Sequence, residues 1–289
     1  MPHVHHGASG SFGPVLVTVI VVITALAYLR GWISLRSNSP ISAWRACSFL
    51  LGLLLIWVAT ASPVSTLDHE LLTVHMLKHL LLLTIAPPLL WLGEPVRCLA
   101  RTFQPAAWGT RVSALHKIGK ALAQPEVCWL TAAAALIAWH IPSVFTLAMQ
   151  SATWHFVEQS SFLAAGLLFW WPVVQPWPSV SRPELSMILY LFFATLPCDI
   201  LSGFLVFCDR VVYPVYLSSS HLFGFGALGD QQCAAALMWT CVTLVYLVAG
   251  AILSMHVLSP QNSRDDELGH LDLQVKAVPR SVRQNLEAF

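Results

Sequence analysis

Seven stretches of this 289-residue chain are long and apolar enough to cross a hydrocarbon core, and that leaves few folds open to it. They cover roughly 14–32, 41–61, 71–93, 126–148, 155–174, 184–207 and 233–258. An α-helix rises about 1.5 Å per residue, so about 20 residues reach across the apolar layer. Backbone facing lipid finds no water and must satisfy its own N–H and C=O groups, so each span is predicted to be a helix. Charged side chains make up only 10% of the chain, against about a quarter in soluble domains, too few to cover a water-facing surface. The expected fold is all-α, a seven-helix transmembrane bundle. A net charge of +1 offers no electrostatic ground for nucleic acid as a partner. The seven cysteines contain no CxxC pair, which argues against a zinc motif or a disulfide framework.

Lys and Arg concentrate in cytoplasmic loops. Alternating the connections puts Arg30, Arg36, Arg45, Arg97, Arg101, Arg111, Lys117, Lys120, Arg182, Arg264, Lys276, Arg280 and Arg283 on one side and Arg210 alone on the other, with Lys78 inside a span. Thirteen against one places the amino terminus outside and the carboxyl terminus in the cytoplasm. The plan is then an extracytoplasmic segment 1–13, a transmembrane domain 14–258 and a polar cytoplasmic tail 259–289. The first stretch has no basic segment before it and no small-residue cleavage site after it, so it reads as a retained anchor and not a signal peptide. The basic connection 94–125 suits a short helix on the cytoplasmic leaflet.

Ionisable groups inside a membrane are costly and mark function. Here they gather towards the outer side: His75, Lys78 and His79 in the third span, His140 near the end of the fourth, His155 and Glu158 opening the fifth, Asp199 in the sixth, and Asp230, Gln231 and Gln232 just before the seventh. His69 and His221 fall in outer loops. The i, i+4 spacing of His75 and His79 sets both rings on one helical face. His140 and His155 bracket a short connection, so four imidazoles are expected to converge. Imidazole suits copper, iron or zinc, and the thioether of neighbouring Met76 would favour copper. Lys78 is expected to pair with Asp199 or Glu158. Asp230 either caps the seventh helix or balances charge near the site. Pro87, Pro88, Pro142 and Pro197 are expected to kink their helices, and Trp154, Trp170, Trp171 and Trp177 to anchor span ends at the membrane interface. His3, His5 and His6 are poor candidates for a square-planar terminal site, because Pro2 lacks the amide nitrogen such a site needs.

Other functions fit parts of this pattern. Each histidine alone could bond a carbonyl of a neighbouring helix, leaving a metal-free scaffold. His79 and His140 could be the axial pair of a haem redox protein. A transporter fits less well, because polar residues do not continue through the inner half of the bundle.

The segment His75-Met76-Leu77-Lys78-His79, followed by Ala86-Pro87-Pro88-Leu89-Leu90 and Leu92-Gly93-Glu94-Pro95, resembles the signature of the CtaG-type cytochrome c oxidase assembly factors of bacteria. Trp139-His140-Ile141-Pro142, the stretch from His155 to Pro172, Tyr213-Pro214-Val215-Tyr216, and Asp230-Gln231-Gln232 with Met238-Trp239 continue the likeness over roughly 65–258. The resemblance implies a multi-pass protein of the bacterial inner membrane, not an enzyme, that helps mature a haem-copper oxidase by handling copper. Its implied partners are the oxidase catalytic subunit and a periplasmic copper chaperone. Joined to the residue pattern, it makes His75, His79, His140 and His155 the expected copper ligands, with Met76 a soft ligand for the cuprous state. Asp230, Gln231, Lys78 and Asp199 are expected around them, and no haem. Ala235 and Ala236 stand where the family suggests a glycine, and Cys198, Cys208 and Cys233 look like additions.

Overall fold

Every regular element among the described residues is helical, as backbone without water partners requires. The computed structural model describes residues 12–35, 41–103, 124–174, 185–218, 224 and 226–258. Its α-helices are α1 (Phe12–Leu35), α2 (Ala43–Thr60), α3 (Leu72–Leu80), α4 (Ala86–Leu92), α5 (Pro95–Phe103), α6 (Pro125–His140), α7 (Pro142–Gln150), α8 (Ala152–Val174), α9 (Leu185–Phe207) and α10 (Ala227–Val257). A π-helical turn, Leu81–Ile85, joins α3 to α4, and 3-10 turns cover Pro63–His69 and Pro214–Ser218. Expectations for His3, His5, His6, His221, Trp177, the connection beyond residue 103 and the tail from residue 259 lie outside the described residues.

Among the described residues, five helical runs are long and apolar enough to cross a membrane: Gly13–Leu35, Ala43–Thr60, Leu72–Leu92, Leu185–Phe207 and Ala227–Met255. The bent pair α6 and α7 passes the same test only when taken together, as a broken span or a re-entrant loop, and is a sixth candidate. Helix α8 has the length, 23 residues, but His155, Glu158 and Gln159 dilute its apolar character. Ile23, Phe192, Ile200 and Leu247 point away from the protein, as a lipid-facing surface demands.

The structure corrects the sequence at four places. Span 126–148 is not one helix: it breaks at Ile141, and α6 and α7 meet at 77° because Pro142 cannot continue the ladder. Pro197, by contrast, sits inside an unbroken α9. The last helix starts at Ala227, so Asp230 and Gln231 lie in its first turn and not before it. Trp170 is buried in the core beside Tyr246, not an interfacial anchor, whereas Trp154 is exposed.

Lipid is as apolar as the helix faces, so close packing and hydrogen bonds must hold this bundle together. Two glycines permit the closest approaches to the backbone of another element. A Cβ on Gly166 of α8 would lie 2.6 Å from the Leu83 carbonyl oxygen in the π turn. One on Gly31 of α1 would lie 2.0 Å from the Cys98 carbonyl oxygen in α5. The short basic helix expected after residue 94 is therefore present in part, as α5, and it packs on α1. The core falls into a large cluster around Met76, Leu82, Phe145, Phe162 and Phe169, and a smaller one around Tyr28, Phe49, Leu53 and Cys98.

Candidate metal centre

Helices α3 and α8 run side by side in the same direction. His75 meets Glu158 near their starts, and eight residues further along both chains Leu83 meets Gly166. The Gly166 contact thus fixes the level at which the α8 side chains face the α3 histidines. The start of α3 has no side-chain cap of its own. Asp230 supplies one from α10: its Oδ2 accepts the Leu72 N–H at 2.6 Å, and its Oδ1 accepts the Thr73 N–H at 3.1 Å and the Thr73 hydroxyl at 2.6 Å. Asp230 therefore caps the third span and not its own helix, a carboxylate matched to the positive end of a helix dipole. Gln231 ties the loop after α9 to α10, its Oε1 accepting the Val212 N–H at 2.7 Å and its Nε2 donating to the Arg210 carbonyl at 3.1 Å.

The four histidines singled out by the sequence do not surround one point. They form a row, and His69 extends it. Ring centroids are 5.5 Å apart from His69 to His155, 5.9 Å from His155 to His75, 4.4 Å from His75 to His79 and 5.8 Å from His79 to His140. His69 is half exposed, His155 is largely covered, and the other three are buried. The row thus leads from the surface into the core.

Glu158 is the group sequence reasoning underrated. Fully buried, it sets Oε1 3.4 Å from Nε2 of both His75 and His79, with Oε2 3.9 Å from Nε2 of His155. Its i+3 relation to His155 on one helix was the available signal. None of these contacts has hydrogen-bond geometry: both nitrogens of His75, both of His79 and both oxygens of Glu158 are buried and bonded to no other described residue. Each such group costs about 1–3 kcal/mol relative to a satisfied one.

His140 differs. Its Nδ1 lies 2.7 Å from the Leu136 carbonyl, which only accepts, so in the neutral ring Nδ1 carries the proton. Nε2 is then left with a lone pair facing the Met76 sulfur at 3.3 Å. Two acceptors touch there with no proton between them. Tyr213 donates to the His140 carbonyl at 3.1 Å, a group the break at Ile141 leaves unpaired in its helix.

Lys78 pairs with neither Asp199 nor Glu158, as the sequence suggested. Its ammonium bonds Asp68, in the 3-10 turn before α3, and Asp68 Oδ2 also lies 3.1 Å from Nε2 of His155. Burial would raise the Asp68 carboxyl, but His155 and Lys78 together hold it well below the usual carboxylate range. Tyr216 fixes the turn by donating to the Asp68 carbonyl at 2.7 Å. Asp199 is half-buried in α9 with Oδ1 unbonded, and the row does not include it. Asp68 escaped sequence reasoning because it sits among the polar residues of a connection, where an acid is unremarked. None of the seven cysteines, all among the described residues, forms a disulfide. Cys198 lines a cavity beside His79, shared with Thr84, Met238 and Tyr246, that offers about 40 Å³ of space for water.

Among the described residues, two groups of side chains each offer three ligand atoms within 4.8 Å of one another: His75, His79 and Glu158, and Asp68, His69 and His155. Fold and site together define a multi-pass helical membrane protein with an imidazole and carboxylate row at one end of its core. The model of the cytochrome c oxidase caa3 assembly factors matches residues 26–259, and the chain belongs to that family. It is similar to an uncharacterised protein of Mycobacterium leprae (strain TN), 21% identical over 93% of this chain and 43% of the relative. An uncharacterised protein of Mycobacterium bovis (strain ATCC BAA-935 / AF2122/97) is 23% identical over 89% of this chain and 41% of the relative. The chain spans less than half the length of these relatives. No solved structure matches.

Proposed function

We propose that this chain is a copper-handling assembly factor of a bacterial haem-copper cytochrome c oxidase, held in the cytoplasmic membrane by seven spans. The six candidate spans and α8 together make seven, which agrees with an outside amino terminus and a cytoplasmic carboxyl terminus. The observation that carries the reading is the set of six buried, unbonded donor atoms on His75, His79 and Glu158. A metal ion would engage one nitrogen of each imidazole and the Glu158 carboxylate at once, and imidazole with carboxylate is a donor set that transition metals accept. The His140 and Met76 pair adds a nitrogen lone pair and a thioether within reach, which favours copper and suits the cuprous state.

The copper is cargo. Three ligands leave coordination positions open, and the row offers a further imidazole on either side, so the ion can pass by ligand exchange without a chemical reaction. A periplasmic chaperone would deliver it and the oxidase catalytic subunit would receive it. Against a haem between His79 and His140 stands the space: about 40 Å³ beside His79, where a ligand of that size occupies several hundred.

The test is metal content and an optical spectrum of detergent-purified protein after anaerobic cuprous loading. Wild type is expected to hold copper that His79→Ala and His75→Ala/His79→Ala lose, and cells carrying either variant to lose oxidase activity. Unchanged copper in the variants defeats the assignment, and a Soret band in the wild type transfers it to haem.

A further inference from the structure

A second set of ligand atoms of the same kind lies beside the buried donors. Asp68, His69 and His155 offer one carboxylate and two imidazoles, as His75, His79 and Glu158 do. The second set lies at the exposed end of the row. His69 is 53% exposed, and its Nε2 is 3.8 Å from Asp68 Oδ1, a buried oxygen with no hydrogen bond among the described residues. The His155 ring, with Gln159 3.0 Å from its Nε2, stacks at 18° on His75 and so stands between the sets. Glu158 Oε2 touches His155 from the buried side while its Oε1 faces His75 and His79.

The geometry points to a second metal site at Asp68, His69 and His155, which receives the copper ion from outside and hands it to the buried site, with Lys78 occupying the carboxylate as a tethered cation until the ion arrives. This rests on the copper reading above and adds a place of first contact to it. Both sites present two imidazoles and one carboxylate, so the transfer exchanges ligands of one type and needs no change of oxidation state. In the transfer the ion gives up His69 and Asp68 while still held by His155, Glu158 takes the place of the Asp68 carboxylate, and His155 is released last as His75 and His79 bind. Lys78 explains why the mouth does not hold its ion permanently. An ammonium already bonded to Asp68 Oδ2 repels a second cation beside it, and a site that loads the next one must bind less tightly.

Equilibrium dialysis of the full-length purified protein against Cu2+, followed by electron paramagnetic resonance, tests this. Wild type is expected to bind two ions, the second broadening the signal of the first through dipolar coupling. His69→Ala, a change at a half-exposed ring that leaves the core intact, is expected to bind one ion with an uncoupled signal. His79→Ala is expected to bind one ion, lost on further addition of His69→Ala. Lys78→Met is expected to tighten the weaker of the two ions by about tenfold. Two coupled ions retained in His69→Ala, or no Cu2+ taken up by wild type, overturns the second site. A single ion lost in His79→Ala but kept in His69→Ala overturns it while leaving the buried site standing. A single ion with the opposite pattern keeps the mouth site and defeats the buried one. Unaltered affinity in Lys78→Met removes the tethered cation from the scheme.

Discussion

Two glutamates at opposite ends of the bundle are treated in opposite ways. Glu94 follows α4 and is bonded by both Arg45 and Arg97, one on each carboxylate oxygen. Its backbone adopts φ +51°, a left-handed conformation that costs a non-glycine residue roughly 1–2 kcal/mol. The two arginines hold it there, and Tyr28 donates to the adjacent Gly93 carbonyl at 2.8 Å. Glu158 is more deeply buried and faces three imidazoles, and its carboxylate has no hydrogen bond among the described residues. One end of the molecule is closed upon itself. At the other, polar groups are held at the spacing of a ligand set and left without partners, which stability alone would not select.

Four measurements break or sharpen this contrast. The largest effect is expected from Glu158→Leu, which removes the central carboxylate: copper affinity falls at least about 100-fold, while metal-free protein unfolds in detergent at no lower temperature, since an unpaired buried charge is gone. A drop in the metal-free melting temperature would make Glu158 a structural group. Gly166→Val forces α8 away from the π turn. It is expected to cost about 1–3 kcal/mol and to weaken copper binding, whereas Gly31→Val at the closed end costs as much and leaves copper unchanged. Equal copper loss in both would mean that general loosening, not the level of α8, governs the site. Asp230→Asn weakens the cap on α3 by about 1 kcal/mol and lowers copper affinity up to about tenfold, read by the same titration. The smallest effect falls on the paired end: Glu94→Gln is expected to shift stability by no more than about 1 kcal/mol, because its arginine partners are partly exposed, with no effect on copper. Copper loss there would erase the distinction between the two ends.

What the sequence made legible follows the reach of local rules. Length and hydropathy placed each of the seven predicted stretches to within a turn or so of a described helix, except where Pro142 divides one and where α10 begins early. The i, i+4 rule placed His75 beside His79, and a short connection brought His140 and His155 to the same region. The order of the rings was not legible, since nothing local says that His155 sits outside His75. Asp230 reaches α3 across 158 positions of chain, a tertiary contact that capping rules cannot anticipate. Lys78 had several acids within plausible reach, and only the folded turn at Pro63–His69 selects Asp68. Glu158 stood in view as a charge partner, while the unbonded state of its carboxylate among the described residues is a property of the packed core alone.

The π turn between α3 and α4 also has a consequence in angular terms. An α-helix advances about 100° per residue, so residues four apart drift by about 40° around its axis. His75, His79, Leu83 and Pro87 are each four apart; His75 and His79 face Glu158, and Leu83 and Pro87 meet Gly166. In a straight helix the drift over this series would reach about 120°, and the far members would rotate out of reach of α8. The wider turn at Leu81–Ile85 takes up much of that rotation. It acts as a phase correction: one helix keeps its histidines and its packing contact on the same bearing towards a single neighbour.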